Sequence, residues 1–130
     1  MELPRFGALD AVVFDLDGTL VDTAPDLGGA LNRLLAEHGR APIGAGGIRR
    51  MIGDGAAKLV ERGFAATGGL PAALPSLVER FLAIYEPNIA ETSRPFPGVV
   101  ETLERLKAAG LRLGVCTNKP DEATRRLLAA

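Results

Sequence analysis

Two short apolar runs limit what this chain can become. Ala11-Val12-Val13-Phe14 and Leu111-Arg112-Leu113-Gly114-Val115-Cys116 are continuous rather than alternating, the pattern of strands covered on both faces. Strands of that kind belong to parallel sheets. Between them, Pro97 to Ala109 places Val99, Val100, Leu103 and Leu106 on one helical face, with Pro97 suited to the first turn and Gly110 to the C-terminal cap. Beyond the second run, Asn118 is suited to cap a last helix, with Pro120 in its first turn and Leu127 and Leu128 facing inward. The order strand, helix, strand, helix predicts an α/β fold built on a partial doubly wound, Rossmann-like parallel sheet.

Leu20 to Arg94 carry helical periodicity and no alternating stretch. Leu27, Leu31, Leu34, Leu35 and His38 form one stripe that stops at Gly39; Leu59, Val60, Gly63 and Phe64 form a second; Leu77, Val78, Phe81, Leu82 and Tyr85 form a third, after Pro75. The Gly- and Pro-rich segments Ala41 to Gly47 and Thr67 to Pro71 read as the loops between them. An all-helical insertion at 20–94 is the simplest reading, with core segments at 1–19 and 95–130. Two strands leave both sheet edges unpaired, whereas open α/β sheets commonly have about five or six. The chain is therefore expected to be the front part of a larger domain.

Composition removes several functions. Lys and Arg number 15 against 16 Asp and Glu, and no basic run exceeds a doublet such as Arg49-Arg50, so non-specific nucleic-acid binding is not expected. The apolar runs fall far short of the roughly 20 residues a membrane helix needs. The first residues lack a cationic region followed by an apolar one, and the lone Cys116 has no internal disulfide partner. A cytoplasmic protein is the expectation.

The chemistry concentrates in Asp15-Leu16-Asp17-Gly18-Thr19-Leu20, two carboxylates two residues apart at the C-terminal end of the first strand. In open α/β sheets ligands bind at that end. Alternation along a strand would turn both carboxylates the same way, with Gly18 letting the backbone turn close to a substrate. Clustered carboxylates repel one another, and Mg²⁺, which prefers hard oxygens and bridges carboxylate to phosphate, removes that difficulty. A carboxylate also attacks phosphorus directly, while a second one protonates the leaving alkoxide and later deprotonates water. Asp15, deeper on the strand, is the better nucleophile, and Asp17, nearer the mouth, the better acid and base. At the end of the second strand, Thr117 offers a hydroxyl and Asn118 an amide at a helix N-terminus, and a right-handed crossover should bring them beside Asp15 as a phosphate cradle.

These residues resemble a known family. Phe14-Asp15-Leu16-Asp17-Gly18-Thr19-Leu20-Val21-Asp22-Thr23 is similar to the first motif of the haloacid dehalogenase superfamily, and Thr117-Asn118 to its second. Asp22 to Leu27, Ile52-Gly53-Asp54-Gly55-Ala56, Arg94-Pro95-Phe96-Pro97-Gly98 and Cys116 to Pro120 look like the phosphoglycolate phosphatase subfamily, whose helical cap is inserted where the helical stretch falls here. The resemblance implies a Mg²⁺-dependent phosphomonoesterase acting on a small phosphorylated metabolite. In it Asp15 is the nucleophile, Asp17 the general acid and base, and Thr117 and Asn118 hold the phosphoryl group. The Asp15 carboxylate and the Asp17 main-chain carbonyl would ligate the metal. Phosphoglycolate is the expected substrate; a sugar phosphate or pyrophosphate, or a non-catalytic fragment that binds or associates through a sheet edge, are the alternatives.

Departures from the family pattern carry information too. Dehalogenating members lack the second aspartate, so Asp17 favours phosphate chemistry, and Leu27 stands where the related mutases carry histidine. No residue can be assigned to the third motif's phosphate-neutralising lysine or the fourth motif's acidic pair, so the stretch alone is expected to be nearly inactive. Lys119, near the phosphate cradle, is expected in solvent at a helix start, with the alternative that it lends charge to the cradle; His38 is expected at a helix C-terminus and Cys116 as a small buried hydrophobe. Asp54 is expected to cap the helix that begins at Gly55, with the alternative that the Gly53-Asp54-Gly55 turn faces the active site from the cap. Arg49 and Arg50 are expected in solvent, although either could pair with a substrate carboxylate.

Overall fold

The computed structural model describes residues 10–90, 93–117, 119, 125 and 127–129. Strand β1 (Ala11–Phe14) pairs in parallel with β4 (Arg112–Val115), in a register that sets Ala11 opposite Arg112 and Phe14 opposite Val115. Helix α5 (Val99–Ala108) leads into β4 and ends at Gly110, whose positive φ of 86° is the left-handed turn glycine permits. The expected strand-helix-strand unit is present, and the fold is α/β. The start of α5 differs: Gly98, at φ 83°, occupies the N-cap, and Pro97 lies outside the helix.

The helical stretch contains four helices: α1 (Ala24–Glu37), α2 (Ala45–Met51), α3 (Ala56–Ala65) and α4 (Leu74–Tyr85), with a short 3-10 turn at Glu86–Asn88. The predicted stripes form the core, because Leu31, Leu34, Leu35, Val60, Phe64 and Phe81 are fully buried. Helix α1 stops where Gly39 suggested. With Gly39 at φ 70°, its N–H donates to the Ala36 carbonyl and the Arg40 N–H to the Leu35 carbonyl, a Schellman ending that places His38 at the C-cap. The His38 ring meets Phe64 edge-on, 5.5 Å between centroids.

Helix α2 was hidden. Its sequence, Ala-Gly-Gly-Ile-Arg-Arg-Met, is poor in helix formers, and part of it reads as loop. Tertiary packing overrides propensity: Ile48 is buried against α1 at Gly28, where an added Cβ would come within 3.1 Å of its side chain. Two very short strands, β2 (Val21–Asp22) and β3 (Arg94–Pro95), pair antiparallel and tie the two ends of the helical stretch together. Two residues are too few to show alternation. Beside this ladder, the buried Asp26 carboxylate accepts hydrogen bonds from the Ser93 N–H at 2.7 Å and the Ser93 hydroxyl at 2.6 Å, joining the first turn of α1 to the approach to β3.

The sheet strands are not covered on both faces. Val13 is 62% exposed and Leu113 and Val115 are also open, since among the described residues the sheet has two strands and the layer over it is incomplete. Cys116 is exposed, just past the end of β4, and is not the buried hydrophobe its apolar neighbours suggest. Among the described residues, no helix is long and apolar enough to cross a membrane. Leu127 is buried while Leu128 is exposed, so the expectation that both face inward holds for one of them.

The crossing of α3 on α1 depends on a missing side chain. A Cβ at Gly63 would lie 2.9 Å from both methyl carbons of Leu31, which is itself fully buried. Overpacking costs about 1–3 kcal/mol, against a helix-propensity gain of about 1 kcal/mol for replacing glycine. Gly63→Ala is therefore expected to lower the urea midpoint without changing the slope; an unchanged or raised midpoint would contradict the close approach.

Candidate active site

The site begins where β1 ends. After Phe14 the chain leaves the strand and winds tightly: the carbonyl of the fully buried Leu16 accepts from the N–H groups of Thr19, Leu20 and Val21, and the Gly18 N–H donates to the Val21 carbonyl at 2.9 Å. Gly18 sits at φ 77°, and Ile52 packs 3.5 Å from where its Cβ would be. A larger residue would be strained there and crowded by the chain after α2. Because the strand has ended, simple alternation no longer relates Asp15 to Asp17.

The depth order is the reverse of the one expected. Asp15 is exposed, its Oδ1 accepting the Leu16 N–H at 2.8 Å. The Asp17 side chain is only 13% exposed, and its Oδ1 lies 3.0 Å from Lys119 Nζ. The parallel register carries the other half of the site alongside, because the Cys116 N–H donates to the Phe14 carbonyl at 2.8 Å and so continues the ladder one step past the strands. Thr117 Oγ1 accepts the Lys119 N–H at 3.1 Å, and a hydroxyl used as acceptor still has its own proton to donate. Asn118 lies outside the described residues.

Lys119 corrects the sequence reading most sharply. Its side chain is 3% exposed, not solvated, and its ammonium lies 4.5 Å from the centre of the Tyr85 ring on α4. Neither end of this contact shows in local sequence: the lysine and its carboxylate stand 102 residues apart. Burial pulls Lys119 below the ordinary lysine range, against the opposing pull of Asp17. Burial, with the Asp17 and Asp26 charges nearby, pushes the Tyr85 phenol far above its ordinary value. A small hollow opens here, lined by Asp17, Lys119, Tyr85, Ile52, Gly53 and Gly55; neither Asp15 nor Thr117 is part of that lining.

The remaining candidates fall elsewhere. Gly53 and Gly55, at φ 111° and 93°, face the hollow from the turn after α2, while Asp54 is committed to Arg62 at 2.7 Å and makes no cap to α3. Arg49 reaches back to the chain entering the helical stretch and grips both oxygens of Asp22, at 2.6 and 3.0 Å. That contact holds the Asp22 carboxyl below its usual range. Arg50 is exposed. For a divalent cation the donor chemistry fits in kind, since Asp15 presents an open carboxylate, yet the described residues hold no group of three acidic, histidine or cysteine side chains that would enclose one.

Comparison with known proteins shows the family. A haloacid dehalogenase-like hydrolase family model matches residues 9–130. The chain is 54% identical over 121 residues to a phosphoglycolate phosphatase of Caulobacter vibrioides, covering 92% of this chain and 51% of that protein. It is 46% identical over 124 residues to a phosphoglycolate phosphatase of Rhodospirillum rubrum, covering 91% and 52%. Among solved structures, a predicted phosphoglycolate phosphatase from Haemophilus somnus superposes with a TM-score of 0.83 at 32% identity, over 96% of this chain and 58% of that one. The chain thus spans about half the length of the curated relatives it matches. With two aspartates after a parallel strand, a threonine after its neighbour, and a family match over nearly its whole length, the chain belongs to the haloacid dehalogenase-like hydrolases.

Proposed function

We propose that this site hydrolyses a small phosphomonoester, with 2-phosphoglycolate as the substrate. One observation carries the reading: the parallel β1–β4 register, which sets the Asp15–Asp17 loop beside the chain end bearing Thr117 and Lys119. The names of the relatives support the substrate. In this reading residues 20–94 are a helical cap and residues 1–19 and 95–130 are core, and the protein works in the cytoplasm on a dissolved metabolite.

Asp15 is the nucleophile. Its exposure suits attack on a phosphorus arriving from solvent, forming an aspartyl phosphate while the bond to the leaving oxygen breaks. In its protonated form Asp17 gives the leaving alkoxide a proton; as the carboxylate so formed, the form that pairs with Lys119, it takes one from the water that cleaves the acyl phosphate, restoring both carboxyls. Thr117, with its proton available, and Asn118 hold the phosphoryl oxygens. Bound Mg²⁺, held by the Asp15 carboxylate and the Asp17 main-chain carbonyl, would neutralise phosphoryl charge. Lys119 is held by Asp17 in this arrangement, and nothing else described supplies a cation at Asp15; positioning and electrostatics dominate phosphoryl transfer, so turnover by these 130 residues alone is expected to be slow.

The test is phosphate release from 2-phosphoglycolate in Mg²⁺. In the complete enzyme, Asp15→Asn is expected to cut kcat on the order of 10³-fold or more. Asp17→Asn should cost about 10²–10⁴-fold. Wild-type-like turnover by a folded Asp15→Asn protein would refute the mechanism. Fast turnover by the 130-residue chain would refute the claim that the site needs more charge than it carries. If a panel of phosphomonoesters shows a sugar phosphate preferred over 2-phosphoglycolate, the substrate assignment fails and the hydrolase chemistry stands.

A further inference from the structure

We propose that Lys119 and Tyr85 are positioning residues that fix the Asp17 carboxylate in one orientation, with the Tyr85 ring of α4 holding the lysine in place. The role rests on the acid–base reading of Asp17; the geometry does not. Asp17 lies past the end of β1, in a turn whose backbone is held by hydrogen bonds but whose carboxylate would otherwise rotate among staggered wells. Lys119 Nζ, 3.0 Å from Oδ1, selects among them.

The selection is strong because of where the pair sits. The lysine side chain is 3% exposed and the aspartate 13%, so water screens the pair poorly, and turning the carboxylate away gives up a close, weakly screened attraction. On another side the ammonium faces the Tyr85 ring at 4.5 Å, a cation–π contact that gains weight when desolvated. The ring is fixed in turn by Phe81, stacked at 5.8 Å between centroids and 14° between planes. What Tyr85 brings is its face: the hydroxyl is buried and has no hydrogen-bond partner among the described residues. The lysine's own backbone is tethered through its N–H to Thr117, a phosphate-holding residue in the proposed mechanism. Three segments far apart in sequence, at residues 17, 85 and 119, thus meet at one carboxylate, and Asp17 is aligned only while the end of α4 holds Tyr85 against Lys119.

Side-chain NMR on the full 130-residue chain tests this directly. Three-bond couplings from the backbone nitrogen and carbonyl carbon to Asp17 Cγ report its χ1 distribution. Single-rotamer couplings are expected in the unaltered chain and in Tyr85→Phe, which keeps the ring, and averaged couplings in Lys119→Met and Tyr85→Leu. Averaging already present in the unaltered chain would overturn the proposal without any variant. So would single-rotamer couplings retained in a folded Lys119→Met or Lys119→Gln. In the complete enzyme, Lys119→Met should lower kcat for an alkyl ester such as 2-phosphoglycolate on the order of 10²-fold, with KM little changed. It should cost p-nitrophenyl phosphate far less, because that leaving group needs little protonation; equal losses on both esters would overturn the role. If the couplings behave as expected but Asp15→Asn leaves turnover intact, the alignment stands and the phosphatase mechanism falls.

Discussion

Parallel pairing of β1 with β4 is the contact from which the site follows. Each strand alone is only four residues long, and neither of the segments that follow carries a complete set of groups for phosphate chemistry. Brought together in the register that sets Phe14 opposite Val115, the two strands release their chains at the same edge, and the Cys116 N–H still bonds to the Phe14 carbonyl beyond the last pair. A shift of one residue would invert which side chains face which layer. The site therefore inherits its precision from backbone hydrogen bonds that involve none of its functional side chains.

The helical stretch is fastened to that sheet at its own root. The β2–β3 ladder and the paired bonds from Ser93 to the buried Asp26 bring the ends of a segment some seventy residues long together, so its four helices fold as a closed excursion. Arg49 adds a bidentate grip on Asp22, but at the surface, where such pairs contribute little to stability. Asp26 matters more because it is buried and accepts both hydrogen bonds on one charged oxygen, an arrangement in which losing the acceptor strands two buried donors. Root and excursion meet again at Tyr85, the last residue of α4, which reaches Lys119.

The Asp17–Lys119 pair is better understood as a device for orientation than for stability. Desolvating two charges offsets most of their attraction, and well-packed apolar side chains often do as well or better. What an apolar pair cannot do is select one rotamer of a carboxylate and hold it beside a hollow. Tyr85 contributes the face of its ring, its buried hydroxyl having no partner among the described residues.

The sequence by itself determined the elements whose causes are local. Short, largely apolar runs make β1 and β4; periodic apolar residues make the buried faces of α1, α3 and α4; Gly39 and Gly110 end their helices because only a left-handed residue closes those turns. The paired aspartates at a strand end were equally legible, since residue type and spacing are the signal. Tertiary structure decided the rest, where the cause lies far along the chain. Helix α2 exists because Ile48 finds space over Gly28, Cys116 is exposed, like Val13 and Val115, because the layer over the described sheet is incomplete, and Asp17 lies deeper than Asp15 because the chain has already left the strand. Lys119 is buried because a carboxylate and an aromatic face from two distant segments compensate its charge, and no local pattern around a lysine encodes the partners that make its burial affordable.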